Sequence, residues 1–274
     1  MCPLWIVSTP IGNLSDLSPR AREILTNSDL ILAEDTRRTG QLLALCQIHA
    51  KKLISFHDHN EAERQPQLLD LLAQGYNIAL VSDAGTPLLA DPGYRLVRAC
   101  HAQGILVSPV PGPSAPVAAL SAAGLPPLPF SFLGFLPRSE GAIRELFTAY
   151  AHVPGSLIFF ERKDRLQGSL KAAYECLGSR ELAICRELTK IHEEFIIARL
   201  EKGPDLTKDL LGELTIIIGP PEKPTRLSEQ KAKEIVLEYL RQNLKPRKAA
   251  LAAVHKCAGW SASELYDLAV KSCS

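Results

Sequence analysis

The chain has 274 residues, long for one small core and sufficient for two domains that share an interface. With 46% hydrophobic and 22% charged residues it matches a folded globular protein, and a formal net charge of +1 excludes a global attraction to nucleic acid, so any such binding has to come from a local patch. Seven cysteines without a C-x-x-C pair argue against a disulfide framework or a zinc site and fit a reducing cytoplasm. The N-terminal MCPLWIVSTP lacks the basic and apolar regions of an export signal, and no run approaches the roughly 18 apolar residues of a bilayer span, so neither export nor membrane insertion is expected.

Short aliphatic or β-branched runs alternate with longer helical patterns, which predicts an α/β fold of β-α units around a parallel sheet. In chain order, strands are expected near 4–8, 29–33, 53–55, 78–82 and 105–110. Ser18 before Pro19 and Asp91 before Pro92 both have the pattern of a helix N-cap followed by proline at the first helical position. Three prolines in LPPLPF, residues 125–130, suit a stiff linker and place a boundary there. Further strands are expected near 130–134, 157–161, 182–186, 194–200 and 213–218, mixed with helices, up to the proline-rich break PPEKP at 220–224. Beyond about 225 the composition predicts helix alone. The expected partition is an N-terminal α/β domain over 1–126, a second α/β domain over 127–222 and a small C-terminal all-helical module over 223–274. No tandem repeat or low-complexity tract interrupts it.

Four unusual segments each follow a predicted strand: STPIGN (8–13), AEDTR (33–37), SDAGTP (82–87) and PGPSA (111–115). In a parallel sheet the strand C-termini share one edge, so these loops should line one crevice where ligands bind. Glycines there allow close backbone approach, prolines pre-set the loops, and Asp35, Asp83, Thr86 and Ser114 offer polar handles. Neither a G-x-x-x-x-G-K-[ST] phosphate loop nor a G-x-G-x-x-G fingerprint is present, and no G-x-S-x-G elbow supports serine hydrolysis. His57 and His59 in SFHDHNE leave a metal pair conceivable, although a polar loop is the commoner meaning of such a cluster.

In this order and spacing, IVSTPIGNLSDLSPRA, AEDTRRT, VSDAGTPLLADPG, PVPGPSAPVAALSAAGLP and FLGFLP resemble the tetrapyrrole methylase family, the class III S-adenosylmethionine-dependent methyltransferases. The resemblance runs from about Leu4 to the GELTIIIGP strand, and AEDTR with SDAGTP is similar to the branch that methylates the ribose 2′-hydroxyl of a cytidine in the decoding region of 16S rRNA. It implies two α/β domains with S-adenosylmethionine in the cleft between them, 16S rRNA, free or in the small ribosomal subunit, as substrate and a homodimer; no metal is implied.

Carried over by position, the cofactor loops would be Asp83, Ala84, Gly85, Thr86 and Pro87 with Pro111, Gly112, Pro113, Ser114 and Ala115. Phe135, Leu136 and the strand opening at Glu213 would close the opposite wall. The reaction implied is an in-line displacement, for which Glu34 or Asp35 would orient or deprotonate the hydroxyl, Asn13 would position the ribose, and Arg37 and Arg38 would grip phosphates. The chain departs from the family at FFERKDR, residues 159–165, where a Ser-Pro-His-Arg string is the pattern; there Arg162, Lys163 and Arg165 would hold RNA through charge alone, with Lys190 adding to that surface.

Residues 225–274 carry nine Lys or Arg against five Asp or Glu, and Lys245, Arg247 and Lys248 cluster between two predicted helices. This resembles a helix-turn-helix-like RNA-binding module. Two other functions stay open at this point: a small-molecule methylase of tetrapyrrole type, and a catalytically silent rRNA-binding protein. The pairs Arg37-Arg38 and Lys51-Lys52 lean toward a basic crevice and hence toward RNA.

Overall fold

A computed structural model describes residues 3–203, 212–222, 227–242 and 244–273. The chain divides into two compact units, Met1–Pro221 and Glu222–Ser274. Of the break predicted at 220–224, residues 223 and 224 lie outside the described residues.

The first unit opens with β1 (Leu4–Val7), α1 (Pro19–Asn27), β2 (Leu30–Ala33), α2 (Thr36–Leu45), β3 (Leu53–Ser55), α3 (Glu61–Ala73), β4 (Ile78–Val81), α4 (Tyr94–Ala102), β5 (Val107–Val110) and α5 (Ala115–Ala122). Its strands form one parallel sheet in the order β3-β2-β4-β1-β5. Strands β2 and β4 are buried at every residue, as a parallel sheet covered on both faces requires. Alternate side chains divide between two cores. Val7, Ile31 and Val81 pack with Ala21, Leu25 and Leu43, whereas Leu4, Leu32 and Leu80 pack with Leu68, Leu72 and Leu96. The chain leaves β1 toward β2 and leaves β4 toward β5, in opposite directions from neighbouring strands, so a crevice opens at their C-terminal ends.

The same unit continues with β6 (Phe130–Phe135), α6 (Glu140–Tyr150), β7 (Ser156–Glu161), α7 (Lys163–Leu177), β8 (Glu181–Arg186), β9 (Glu194–Arg199) and β10 (Leu214–Ile218). This second sheet has the order β6-β7-β10-β8-β9 and is mixed: β6 and β7 are parallel, and the other pairs antiparallel. One face packs Leu157, Phe159, Leu182 and Ile216 against Phe147, Leu166 and Leu170 of α6 and α7. The other face sets Ile158, Ala183, Cys185 and Ile217 against Ala119 and Leu120 of α5 and against Ile11. Helix α5, which follows β5 of the first sheet, thus packs with Ile11 onto the second sheet.

Ser18 caps α1 by accepting from Ala21 N–H, with Pro19 at the first helical position. The cap predicted at Asp91 is not formed. Helix α4 begins only at Tyr94, its N-cap is Gly93 at φ 122°, and the preceding Leu88 and Ala90 are left-handed at 72° and 75°. Those angles break the chain away from a helical start, so Asp91 sits on an irregular loop.

The second unit contains α8 (Glu229–Arg241), α9 (Pro246–Ala253) and α10 (Ala262–Cys273) around Ala232, Val236, Ala250, Ala253, Leu265 and Leu268. Lys245 is the N-cap of α9, with Arg247 and Lys248 exposed in its first turn.

Candidate active site

The loops after β1 and β4 are joined by paired backbone bonds, Thr9 N–H to Gly85 carbonyl at 2.9 Å and Gly85 N–H to Thr9 carbonyl at 3.0 Å. Gly85 adopts φ 82° to make this bridge, a conformation an L side chain resists. Thr86 Oγ1 then donates to the Pro113 carbonyl at 3.0 Å and lies 3.0 Å from Ser8 Oγ, which ties in the loop after β5. At Gly112 a Cβ would stand 2.8 Å from Ser8 Cβ, so only glycine permits this approach. Three of the four predicted loops are therefore fastened to one another. The fourth, AEDTR, is fastened by Asp83, whose carboxylate accepts from Asp35 N–H at 3.0 Å and from Arg38 Nη1 at 3.1 Å.

These loops face the second sheet across a cavity of about 590 Å³. Its wall on the first-sheet side includes Ile11, Glu34, Arg38, Asp83, Ala84 and Asp91, and the second-sheet side includes Phe135, Phe160, Glu161, Leu188 and Thr215. Of the predicted cofactor residues, Asp83, Ala84, Gly85, Thr86, Ser114, Ala115, Phe135 and Glu213 line it, as do Glu34, Arg38, Arg162 and Lys163. Helix α5 starts at the wall, and Ser114 is its N-cap with no side-chain capping bond. Phe135 is 61% exposed, its ring centroid 5.2 Å from that of Phe160.

Other predicted residues stand behind the wall or away from it. Pro87 is buried, and Pro111, Gly112 and Pro113 shape the loop without lining the cavity. Leu136 is buried in the core of the second sheet, and Arg165 donates to the Leu136 and Pro137 carbonyls, so this arginine anchors the turn. Asn13 caps a short 3-10 turn by accepting from Ser15 N–H, and its own N–H donates to Thr189 Oγ1. Asp35 caps α2 and pairs with Arg37. Lys190 bonds Glu187 at 2.9 Å and Glu213 at 3.1 Å, which neutralises the charge predicted for an RNA surface. His57 and His59 meet edge to face at 5.9 Å, and among the described residues no cluster of three or more His, Cys, Asp or Glu is placed to hold a metal ion.

The electrostatics separate the two carboxylates of AEDTR. Bonds from the Arg37 side chain and backbone hold Asp35 well below the usual carboxylate range. Burial raises Glu34, the Asp83 charge adds to it, and a bond from Asp83 N–H works in the opposite direction. A third carboxylate, absent from the sequence-based site, joins them. Asp91 is pushed up to about 6, by burial first and then by the charge of Glu34. Its signal in the sequence was masked by Pro92, which made it look like a helix cap.

Four of the non-glycine residues at positive φ, Leu88, Ala90, Glu187 and Thr189, belong to the two loops that meet at this cavity. Such strain persists only where surrounding structure enforces it, and it concentrates at functional sites. The model for Tetrapyrrole (Corrin/Porphyrin) Methylases matches residues 3–203. The chain belongs to the tetrapyrrole methylase family. This methylase is 42% identical to a ribosomal RNA small subunit methyltransferase I of Escherichia coli O157:H7 over 98% of the chain and 94% of that relative. A protein of the same name from Xylella fastidiosa is 44% identical over 91% of the chain and 93% of its own length. Among solved structures, the methylase fold is shared with a uroporphyrin-III C-methyl transferase from Thermus thermophilus complexed with S-adenyl homocysteine, at TM-score 0.55 and 20% identity over 79% of this chain and 97% of that one.

Proposed function

We propose that the protein transfers the methyl group of S-adenosylmethionine to the ribose 2′-oxygen of a cytidine in the decoding region of 16S rRNA, acting on the small ribosomal subunit. The observation that carries this reading is the 42% identity, over 98% of the chain, to a ribosomal RNA small subunit methyltransferase I. The cavity's own chemistry supports the cofactor. Its volume suits a ligand of that size, the carboxylates Glu34 and Asp83 favour a cationic sulfonium and ammonium, and the N-terminus of α5 favours a carboxylate. Bound S-adenosylmethionine would supply an electrophilic methyl group on a positively charged sulfur.

In this reading, residues 1–126 and 127–222 act as the two walls, Ala84, Thr86, Ser114 and Ala115 hold the cofactor, and Phe135 offers a flat apolar face at the rim. Glu34, the member of the AEDTR pair that faces the cavity, orients the ribose hydroxyl. Arg38 on the first-sheet wall and Arg162 on the second-sheet wall bring positive charge to the cavity, and residues 223–274 serve as an RNA-binding module through Lys245, Arg247 and Lys248. Positive side chains in the first turn of α9 oppose the helix dipole, and a bound phosphate relieves that opposition. The reading extends to a homodimer, observable by sedimentation.

The test is incubation of the protein with methyl-labelled S-adenosylmethionine and small subunits that lack the native modification, followed by nuclease mapping. Label on a cytidine ribose is the expected result. Cofactor binding without label in RNA would overturn it in favour of a small-molecule acceptor.

A further inference from the structure

Six carboxylates line the cavity: Glu34, Asp83, Asp91, Glu161, Asp164 and Glu213. Most are committed to groups that hold their charge or their orientation. Asp83 binds Asp35 N–H and Arg38, Glu161 accepts from Arg162 N–H and Ser169 Oγ, Asp164 pairs with Arg162, and Glu213 pairs with Lys190. Burial and the Asp83 charge raise the proton affinity of Glu34, while the Asp83 N–H and the Arg38 charge lower it. Asp91 differs in kind. Burial is the first cause of its raised proton affinity, and the charges that add to it, those of Glu34, Asp83 and Asp58, have its own sign, whereas the Ser82 hydroxyl, which donates to the Ala84 carbonyl at 3.3 Å, works in the opposite direction. These charges come from the loops after β2, β4 and β3, which are successive strands of the first sheet.

We propose that Asp91 accepts the proton of the attacking hydroxyl while Glu34 orients that hydroxyl. This assignment rests on the methyl-transfer reading above. The strained turn through Leu88 and Ala90 puts Asp91 on the wall of the cavity that Glu34 also lines instead of at a helix cap. A base works best when its proton affinity lies close to the operating pH, and a carboxylate surrounded by like charges in a partly dry site meets that condition. In the step, the hydroxyl oxygen forms its bond to the methyl carbon as the carbon–sulfur bond breaks, and that electron pair stays on sulfur. The hydroxyl proton passes to the Asp91 carboxylate and then to solvent. One proton moves, and no oxidant or reductant is needed.

The experiment combines the Asp91→Asn, Asp91→Glu and Glu34→Gln variants with three measurements: single-turnover methyl transfer to unmodified small subunits across pH 5–9, S-adenosylmethionine affinity by titration, and unfolding stability against pH. Wild-type transfer should decline on the acid side with a midpoint near 6. Asp91→Asn should slow transfer by about 10²- to 10⁴-fold, abolish that acid limb and leave cofactor affinity within a few-fold. Asp91→Glu, which keeps a carboxylate, should recover part of the rate. Glu34→Gln removes a like charge, so it should move the limb to lower pH without erasing it.

Unfolding provides a readout independent of turnover. Folded Asp91 holds its proton up to about pH 6 against a reference value of 3.8, so its contribution favours folding below that window and is lost as pH rises through it. Asp91→Asn should remove this component and be more stable than wild type at pH 7.5. The assignment is overturned if Asp91→Asn retains wild-type turnover, or if wild-type transfer is flat down to pH 5. It is also overturned if Glu34→Gln erases the limb while Asp91→Asn only shifts it, which would hand the role to Glu34. Wild-type protein that places no methyl on RNA would sink the methyl-transfer reading itself, a result separable from these.

Discussion

Asp83 illustrates how a residue of a cofactor loop can act first as a brace. Its carboxylate accepts from Asp35 N–H at 3.0 Å and from Arg38 at 3.1 Å, with the arginine side chain 69% exposed. A charge-assisted bond to a partly buried backbone N–H contributes about 1.5–3 kcal/mol, and an exposed ion pair contributes about 0.2–1 kcal/mol. Relief of repulsion with Glu34 and Asp91 offsets part of that loss, so Asp83→Ala should destabilise the protein by about 2 kcal/mol. Asp83→Asn keeps a neutral acceptor for Asp35 N–H and should lose about half as much. At this size 2 kcal/mol corresponds to a melting temperature lower by about 4–8 °C. Circular dichroism melts and urea titrations should give the order Asp83→Ala, Asp83→Asn, wild type, with S-adenosylmethionine affinity falling in parallel as AEDTR loosens. If Asp83→Ala melted within a degree of wild type, the bracing argument would be wrong. A loss of affinity without loss of stability would instead make Asp83 a direct cofactor contact.

Three further perturbations test other joints of the site. Thr86→Val is close to isosteric but leaves the Pro113 carbonyl without its donor, so urea unfolding should show a loss of about 1–2 kcal/mol and titration a weaker cofactor. Gly112→Ala forces a Cβ to within 2.8 Å of Ser8 Cβ, and the overpacking should cost about 1–3 kcal/mol, again with weaker cofactor binding. Changing Lys245, Arg247 and Lys248 together to alanine should flatten the slope of log affinity for rRNA against log salt by about 2, at about 0.7 per phosphate contact. Lys190→Ala should leave that slope nearly unchanged, because its charge is already paired with Glu187 and Glu213.

The strands were readable because their apolar runs are continuous, as in LILA and IALV, and the crevice was readable because turn formers crowd the strand ends. What could not be read was which side chains are spent on holding loops together. Asp83 and Thr86 look like ligand groups in a one-dimensional chain, yet their partners, Asp35 N–H and the Pro113 carbonyl, lie 48 and 27 residues away. Asn13 and Asp35 likewise spend their side-chain oxygens on local caps. Asp91 was hidden for the opposite reason: a local rule for proline at a helix start outweighed the strained angles at Leu88 and Ala90, which no periodicity reveals. The second sheet's antiparallel pairs also escape an alternation of strands and helices, since β8 and β9 pair directly across the short segment 187–193.

The core that α5 and Ile11 form with the second sheet sets how a ligand exchanges. Swinging the two walls apart would expose Ile11, Ala119, Leu120, Ile158, Leu188 and Ile217 to water, at about 1.5–3 kcal/mol for each large side chain. A clamshell motion is therefore too costly to repeat at every turnover. Cofactor and spent product must pass through the existing mouth, past Leu89 and Phe135, which are 46% and 61% exposed. Bound RNA seated over that mouth would then close the exit, so departure of the modified subunit would precede departure of the demethylated cofactor.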